Sequence, residues 1–233
     1  AVAANAANPT VNTATVTGGG DPTCTNCSGT TTNPVIDAVN DASTGQPGQA
    51  GTFNVSTNDK FPVGSTFTQT ATTCVPAGTM TGAVANFTYP GTTGASCTVT
   101  YSVCAPAPNT TICDTAVLTV TAGAAPALTV TKSATPAVLV VGGTGQVYTI
   151  TISVANGPTT AAINVSDVLP AGVSTNGAIT ATGGTLSGCP ASGATSLAGC
   201  TVASGTNGPV VITVPVAVAA NAANPTVNTA TVT

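Results

Sequence analysis

The sequence has very few charged side chains and lacks several residues on which enzymes depend. Its 233 residues include two basic residues, both lysine, and six acidic residues, all aspartate, and there is no histidine or tryptophan. Because histidine and glutamate are absent, general acid–base catalysis and metal-dependent hydrolysis have few side chains to use. We therefore expect neither an enzyme nor a cofactor. The chain also has no basic patch that could hold a nucleic-acid backbone.

Long apolar runs are missing as well. The longest one, residues 210–223, is interrupted by Thr213, Pro215 and Asn221, so it is too short and too polar to span a bilayer. The sequence therefore predicts no membrane span in this segment. The first residues do not resemble a signal peptide, and we expect any export signal to lie outside this sequence.

The residues that are abundant are those of a β protein. Threonine and valine make up about a third of the chain, and β-branched side chains favour strands over helices. The 26 glycines and 17 prolines provide turns. A net charge of −4 with 42% hydrophobic residues is not the composition of a disordered chain. We predict an all-β fold.

Eight cysteines in a chain with so few reactive side chains predict four disulfides formed in an oxidising compartment. This predicts an extracellular or cell-surface location. Strand parity places Cys104 and Cys113 on the outer face of adjacent hairpin strands. Cys189 and Cys200 are the only two cysteines in the second half of the sequence. The other two pairs follow by elimination, one in the first domain and one in the linker. The expected pairs are Cys104–Cys113, Cys189–Cys200, Cys74–Cys97 and Cys24–Cys27.

The spacing of Cys24 and Cys27 also occurs in redox motifs and in halves of zinc sites. A redox motif needs a β–α–β context, and a zinc site needs a second pair of ligands, and this sequence offers neither. A local disulfide and a cross-link to a neighbouring repeat are the two interpretations that remain open.

The first and the last seventeen residues are identical. Residues 1–17 and residues 217–233 both read AVAANAANPTVNTATVT, and the distance between them is about the size of two sandwich domains. The duplication predicts one period of a tandem array, in which residues 1–17 are the closing strand of the preceding repeat. The alternative is a strand that was duplicated by design. An unpaired apolar strand promotes association, so we expect residues 1–17 to fill the closing-strand position of a neighbouring copy.

The chain after residue 17 divides into a linker and two domains. Residues 18–33 are rich in glycine and threonine without alternation, which predicts a linker. Residues 34–122 and residues 123–233 each contain alternating runs separated by turns, the pattern of a β-sandwich. The runs are residues 52–58, 97–103 and 116–120 in the first domain, and residues 128–132, 146–154, 163–169, 210–218 and 226–233 in the second.

The second half carries the features of one sequence family. The string LTVTKSATPAVLVVGGTGQVYTITISVANGPTTAAINVSDVLPAGV contains the Lys132 strand, the Tyr148 strand and the motif Asp167-Val168-Leu169-Pro170, and NPTVNTATVT ends the chain. Together they resemble the bacterial conserved-repeat domain known as domain of unknown function eleven. The resemblance covers almost all of residues 123–233.

The first domain resembles a different group of bacterial repeats. Asn58 and Asp59 precede Pro62, and a cysteine-bearing hairpin follows, as in bacterial immunoglobulin-like or cadherin-like repeats. The two resemblances imply two immunoglobulin-like β-sandwich domains in series. They also imply a bacterial protein of the large exported type found on cell surfaces.

One lysine is predicted to face a hydrophobic core. Lys132 shares strand parity with Leu128 and Val130, and Asp167 and Asn228 share parity with apolar neighbours on a middle and the last strand. An unpaired ammonium group in that core would cost many kcal/mol. Either Lys132 and Asp167 form a salt bridge with Asn228 as hydrogen-bond partner, or a neutral Lys132 amine attacks the Asn228 carboxamide with protonated Asp167 as proton shuttle. The arrangement resembles the self-crosslinking immunoglobulin-like domains of Gram-positive pilins.

Four residues of the first domain are candidates for a calcium site. They are Asp37, Asp41, Asn58 and Asp59, whose oxygens are of the type that calcium binds. They are scattered over two loops, and caps and turns explain asparagine and aspartate equally well. We therefore predict no metal site.

The sequence indicates a mechanical role outside the cell. We expect a structural repeat unit of an extracellular bacterial filament, sheath or adhesin stalk, stabilised by disulfides. Its partners would be other copies of the same repeat, joined head-to-tail and, because the charge is low, also bundled side by side. The alternative is an adhesin module that binds a glycan or a surface protein through its loops. That alternative ranks second because no aromatic cluster marks a sugar platform.

Overall fold

The computed structural model describes residues 2–3, 6–20, 25, 27–224 and 227–233, and it confirms the all-β fold. Within these ranges the chain forms strands and a single 3₁₀ turn, Val55–Thr57, with no α-helix. The abundance of β-branched residues accounts for this, because such side chains pack well on a pleated surface. The strands are β1 (Thr10–Thr15), β2 (Ser28–Asn33), β3 (Asp41–Gly45), β4 (Ala50–Asn54), β5 (Thr66–Thr72), β6 (Thr79–Thr81), β7 (Val84–Thr88), β8 (Ser96–Cys104), β9 (Cys113–Ala122), β10 (Ala127–Thr135), β11 (Val147–Ala155), β12 (Ile163–Asp167), β13 (Val173–Thr175), β14 (Thr180–Thr182), β15 (Leu186–Ser187), β16 (Cys200–Val202), β17 (Val210–Val218) and β18 (Ala230–Val232).

The chain forms two compact units, residues 1–124 and residues 125–233. In the first unit, one sheet has the strand order β3-β9-β8-β5 and a second has the order β4-β7-β6. Strand β3 runs parallel to β9, and the other pairs are antiparallel. Alternate residues of β8 and β9 point inward and share one hydrophobic core with residues of the second sheet. That core contains Val55, Ala85, Phe87, Val99, Tyr101, Val103, Ala116, Leu118 and Val120.

The second unit also encloses one core between two sheets. One sheet has the order β10-β11-β17-β13, with β14 also paired to β17, and the other has the order β15-β16-β12-β18. Every second residue of β17 is buried, from Val210 to Val218. Full burial of such a side chain contributes about 1.5–3 kcal/mol relative to exposure. The closing strand β18 pairs with β12, so that Ala230 lies opposite Asp167 and Val232 opposite Val165.

The amino-terminal region differs from the predicted linker. Residues 28–33 form strand β2, which pairs antiparallel with β1 in a separate two-stranded sheet. Apart from Thr10, which is half-buried, every residue of the two strands is exposed. The strand could not be predicted from alternation, because a hairpin with both faces in water needs no apolar face. Threonine-rich composition and backbone pairing account for it instead.

The described residues contain three complete disulfides, which are three of the four expected pairs: Cys74–Cys97, Cys104–Cys113 and Cys189–Cys200. Cys104 lies directly opposite Cys113 where β8 pairs with β9, as their parity predicted. The fourth pair involves Cys24, which lies outside the described residues, so the Cys24–Cys27 bond stays a prediction. The three bonds close short loops and each contributes about 3 kcal/mol by restricting the unfolded chain.

Candidate functional site

The three polar residues predicted to face the core of the second unit lie together. Lys132 is in β10, where its neighbours Val130 and Ala134 pack against the core. Asp167 is the last residue of β12. Asn228 lies two residues before Ala230, which is paired with Asp167, so the pairing of β18 with β12 brings Asn228 to the same place.

Asp167 connects the other two residues. Its Oδ2 atom accepts the ion-pair hydrogen bond from Lys132 Nζ and a second hydrogen bond from Asn228 Nδ2, at 3.5 Å. The Asp167 side chain is fully buried, and the Lys132 side chain is 11% exposed. Two buried oxygens, Asp167 Oδ1 and Asn228 Oδ1, have no hydrogen-bond donor among the residues that the structure describes. The described protein donors therefore leave the cluster incompletely satisfied, which is unusual for buried polar atoms.

A tyrosine belongs to this site and was missed by the sequence analysis. The Lys132 ammonium lies 4.5 Å from the centre of the Tyr148 ring, in cation–π contact. Tyr148 is opposite Ala134 in the pairing of β10 with β11. The available signal was its inward parity on β11, beside the strand that carries Lys132.

The surroundings of Lys132 favour its neutral form more than water does. Burial lowers the pKa of the Lys132 amine from its ordinary value of 10.5, and the hydrogen bond and charge of Asp167 oppose that shift only in part. A desolvated amine gives up its proton more readily, and a neutral amine is a nucleophile.

A cavity of about 510 Å³ adjoins the cluster. Lys132, Tyr148 and Asn228 line it on one side, and Val138, Val141 and Asn224 are among the residues that line the rest. Val138 and Val141 are exposed, so the cavity is continuous with solvent. The site is thus a largely buried cluster beside a solvent-connected cavity.

The four calcium candidates of the first unit take part in different contacts. Asp41 and Asp59 both accept hydrogen bonds from the Tyr101 hydroxyl, at 2.9 Å and 3.1 Å, whereas Asp37 forms an ion pair with Lys60 at 3.6 Å. The fourth candidate, Asn58, donates to a backbone carbonyl at 3.2 Å. Within the described part of the chain, no group of three or more metal-ligating side chains is arranged to hold an ion.

Tyr101 lies at the centre of this acidic group. The Val39 carbonyl oxygen also lies 3.0 Å from the Tyr101 hydroxyl. The hydroxyl has one proton, which cannot be donated at the same time to this carbonyl and to the Asp41 and Asp59 carboxylates. Burial raises the pKa of Asp41 and of Asp59 above 3.8, and the nearby like charges raise it further. A second proton on one carboxyl group would satisfy the cluster.

We expect the first unit to become more stable as the pH falls from neutral toward 3.8. Because the folded-state pKa values of Asp41 and Asp59 lie above 3.8, the folded unit binds more protons than the unfolded chain in that window. This increase in the free energy of unfolding is lost again as the pH rises through the raised folded-state pKa values of Asp41 and Asp59. Urea titrations at several pH values, followed by NMR of the β8 amides, measure this. Asp59→Asn should flatten the pH dependence, and an unchanged slope in that variant would contradict the assignment.

The duplicated sequence adopts two different environments. In the second copy, Ala230 is 6% exposed and closes the sheet beside β12. In the first copy, the corresponding Ala14 is exposed, and Val16, whose counterpart Val232 is half-buried, is 70% exposed. The segment before β1 does contact the first unit, through hydrogen bonds from Lys60 Nζ to Ala6 O and from Val35 N to Asn8 Oδ1. Strand β1 itself pairs with β2 and buries no apolar face.

Comparison with known proteins adds no relative. No protein-family model, curated protein or solved structure matches this chain. The resemblances to the conserved-repeat domain and to the immunoglobulin-like repeats therefore stay predictions. Across the residues that the structure describes, no helix is long and apolar enough to cross a membrane.

Proposed function

We propose that the protein is a structural repeat unit of an extracellular bacterial filament, sheath or adhesin stalk, in which consecutive copies join head-to-tail. The joint is the seventeen-residue segment that occurs at both ends of the chain. In this proposal, the segment that begins one repeat takes the closing-strand position in the second unit of the preceding repeat, as residues 217–233 do in this chain. Each unit is an immunoglobulin-like sandwich with a mechanical role.

The proposal rests on the different environments of the two copies of one sequence. Its second copy completes a sheet, and its first copy has the same alternation but is exposed on both faces. The pairing of β18 defines how the first copy would fit elsewhere: Ala14, Thr15 and Val16 correspond to Ala230, Thr231 and Val232. A strand added to the edge of a sheet in another copy gains the backbone hydrogen bonds and the apolar contacts of the original.

Such a joint produces an open assembly. The donated strand and the accepting strand β12 are different surfaces, so the contact is heterologous and repeats without closing on itself. The three disulfides fit a protein that works in an oxidising space. A net charge of −4 on 233 residues gives little repulsion between neighbouring fibres, which favours side-by-side association.

Immunogold electron microscopy of the source cells tests the proposal. Antibodies raised against this chain are expected to decorate extracellular fibres at a regular axial spacing. Label spread over the cell surface without fibres, together with binding to a glycan or surface protein that depends on one loop, would contradict the proposal and favour an adhesin module.

A further inference from the structure

We propose that the second unit is closed by a covalent amide bond between the Lys132 and Asn228 side chains of the same chain. The observation behind this is that Lys132 Nζ and Asn228 Nδ2 lie at the same carboxylate oxygen, Asp167 Oδ2, within the core. An amine, a carboxamide and a carboxyl group are the nucleophile, the electrophile and the proton carrier that such a reaction needs. The inference concerns the second unit alone and does not rest on the proposed function.

The nucleophile is the neutral Lys132 amine. Its side chain is almost completely buried, with the Tyr148 ring on one side and Asp167 on another. Burial lowers the pKa of the amine, so transfer of its proton to the Asp167 carboxylate removes both charges from the core. The resulting pair is an amine with a free lone pair beside a neutral carboxylic acid.

The electrophile is the Asn228 side-chain carbonyl. Asn228 Oδ1 and Asp167 Oδ1 are both buried acceptors to which no described residue donates. When Asp167 is protonated on Oδ1, that oxygen becomes a donor and Asn228 Oδ1 can accept its hydrogen bond. A hydrogen bond from that acid to Asn228 Oδ1 would polarise the carbonyl and stabilise the negative charge that develops on its oxygen during attack.

The reaction balances with the three side chains alone. A bond forms between Lys132 Nζ and Asn228 Cγ, and the bond between Cγ and Nδ2 breaks. The amine loses a proton and the departing Nδ2 gains one, so that Nδ2 leaves as ammonia. Because Asp167 Oδ2 contacts both nitrogens, it can take the proton from the first and return it to the second. The solvent-connected cavity beside the cluster provides an exit for the ammonia.

The bond would connect the two ends of the unit. Lys132 is in β10, the first strand of the unit, and Asn228 lies two residues before the start of β18, the last. These strands belong to different sheets, so the amide would tie the sheets together through the core. Force applied along the chain between β10 and β18 would then be carried by covalent bonds and would not separate the sheets.

Intact mass spectrometry of the reduced, unfolded full-length chain tests the inference first. The protein is expected to be lighter than its sequence mass by one ammonia. In the Lys132→Ala variant the loss should disappear. A loss that persists in this variant would mean that Asn228 or another asparagine has cyclised with the backbone instead, and would overturn the proposal.

Trypsin gives a second and independent readout, because the chain has only two tryptic sites, after Lys60 and after Lys132. A lysine in an amide bond is not cleaved, so the unfolded wild type should yield residues 1–60 and residues 61–233 and no cut at Lys132. None of the three described disulfides joins the two sides of Lys132. Three fragments, residues 1–60, 61–132 and 133–233, each with its unmodified sequence mass, would overturn the proposal.

Two matched asparagine variants identify the partner. Asn228→Ala should restore both the full mass and cleavage at Lys132, whereas Asn12→Ala, the same change in the duplicated segment, should alter neither. If Asn12→Ala alone restores cleavage, the cross-link belongs to a donated strand and the proposed bond within one chain is wrong. Should Asn228→Ala fail to fold, the wild-type mass and digest decide the question without it.

Discussion

A chain that ends at residue 224, which keeps β1 but lacks β18, is expected to polymerise into head-to-tail filaments. Its second unit has an open position beside β12, where residues 163–167 no longer have a closing partner on that side. Each copy carries one strand of the required sequence at its other end. Filling the open position with β1 of another copy restores the lost strand pairing and covers the exposed core. Light scattering and negative-stain electron microscopy measure the change from particles to filaments.

Two related chains provide the controls. Residues 18–224 lack both copies of the strand and should not form filaments, while residues 1–233 have the position filled by their own β18 and should remain mostly monomeric. Filaments of equal regularity from residues 18–224 would show that the terminal strand is not the joint. A monomeric 1–224 chain with a folded second unit would contradict the proposed assembly.

Asp167→Ala is expected to destabilise the second unit strongly, by about 3 kcal/mol or more. The substitution leaves the Lys132 amine buried without its ion-pair partner and Asn228 Nδ2 without its acceptor. A charge that is removed from water and not compensated costs much more than the pair contributes when intact. The variant also cannot transfer the proton that formation of the amide requires.

A second substitution separates the unpaired charge from the other effects. Adding Lys132→Met to Asp167→Ala removes the charge and retains most of the side-chain volume, and neither variant can form the cross-link. We expect the double variant to be more stable than Asp167→Ala by about 3 kcal/mol. Urea unfolding followed by hydrogen exchange in β11 and β17 measures the difference in the second unit. Equal stabilities would mean that Lys132 carries no buried charge in the Asp167→Ala variant.

Alternation predicted the strands that bury one face. Strand β17 has the predicted bounds, Val210–Val218, because nine residues alternate without interruption. Strand β12 ends at Asp167, two residues earlier than predicted, and Val168 beyond it is exposed although Leu169 is buried. Strand β2 and short strands such as β15 were not predicted, because alternation reports burial and a short or fully exposed strand has too little of it.

The candidate site was predictable as a set of residues but not as a geometry. Strand parity placed Lys132, Asp167 and Asn228 on inward faces, and the structure brings them together at one oxygen. Parity gives the face on which a side chain lies but no distances between side chains, so the contact with Tyr148 and the two oxygens without described donors could not be foreseen. For the same reason, the Tyr101 hydroxyl was not linked to Asp41 before its position was known.

A disulfide trap in the register of the closing strand tests the head-to-tail joint most directly. Thr15 corresponds to Thr231, which is paired with Ser166, whereas within the chain Thr15 is paired with Ser28. In the chain ending at residue 224, Thr15→Cys with Ser166→Cys should give disulfide-linked multimers that a reductant dissolves. The out-of-register combination of Thr13→Cys with Ser166→Cys should give few. If Thr15→Cys forms bonds only within its own chain, in combination with Ser28→Cys, and none with Ser166→Cys of another copy, the terminal strand does not join the repeats.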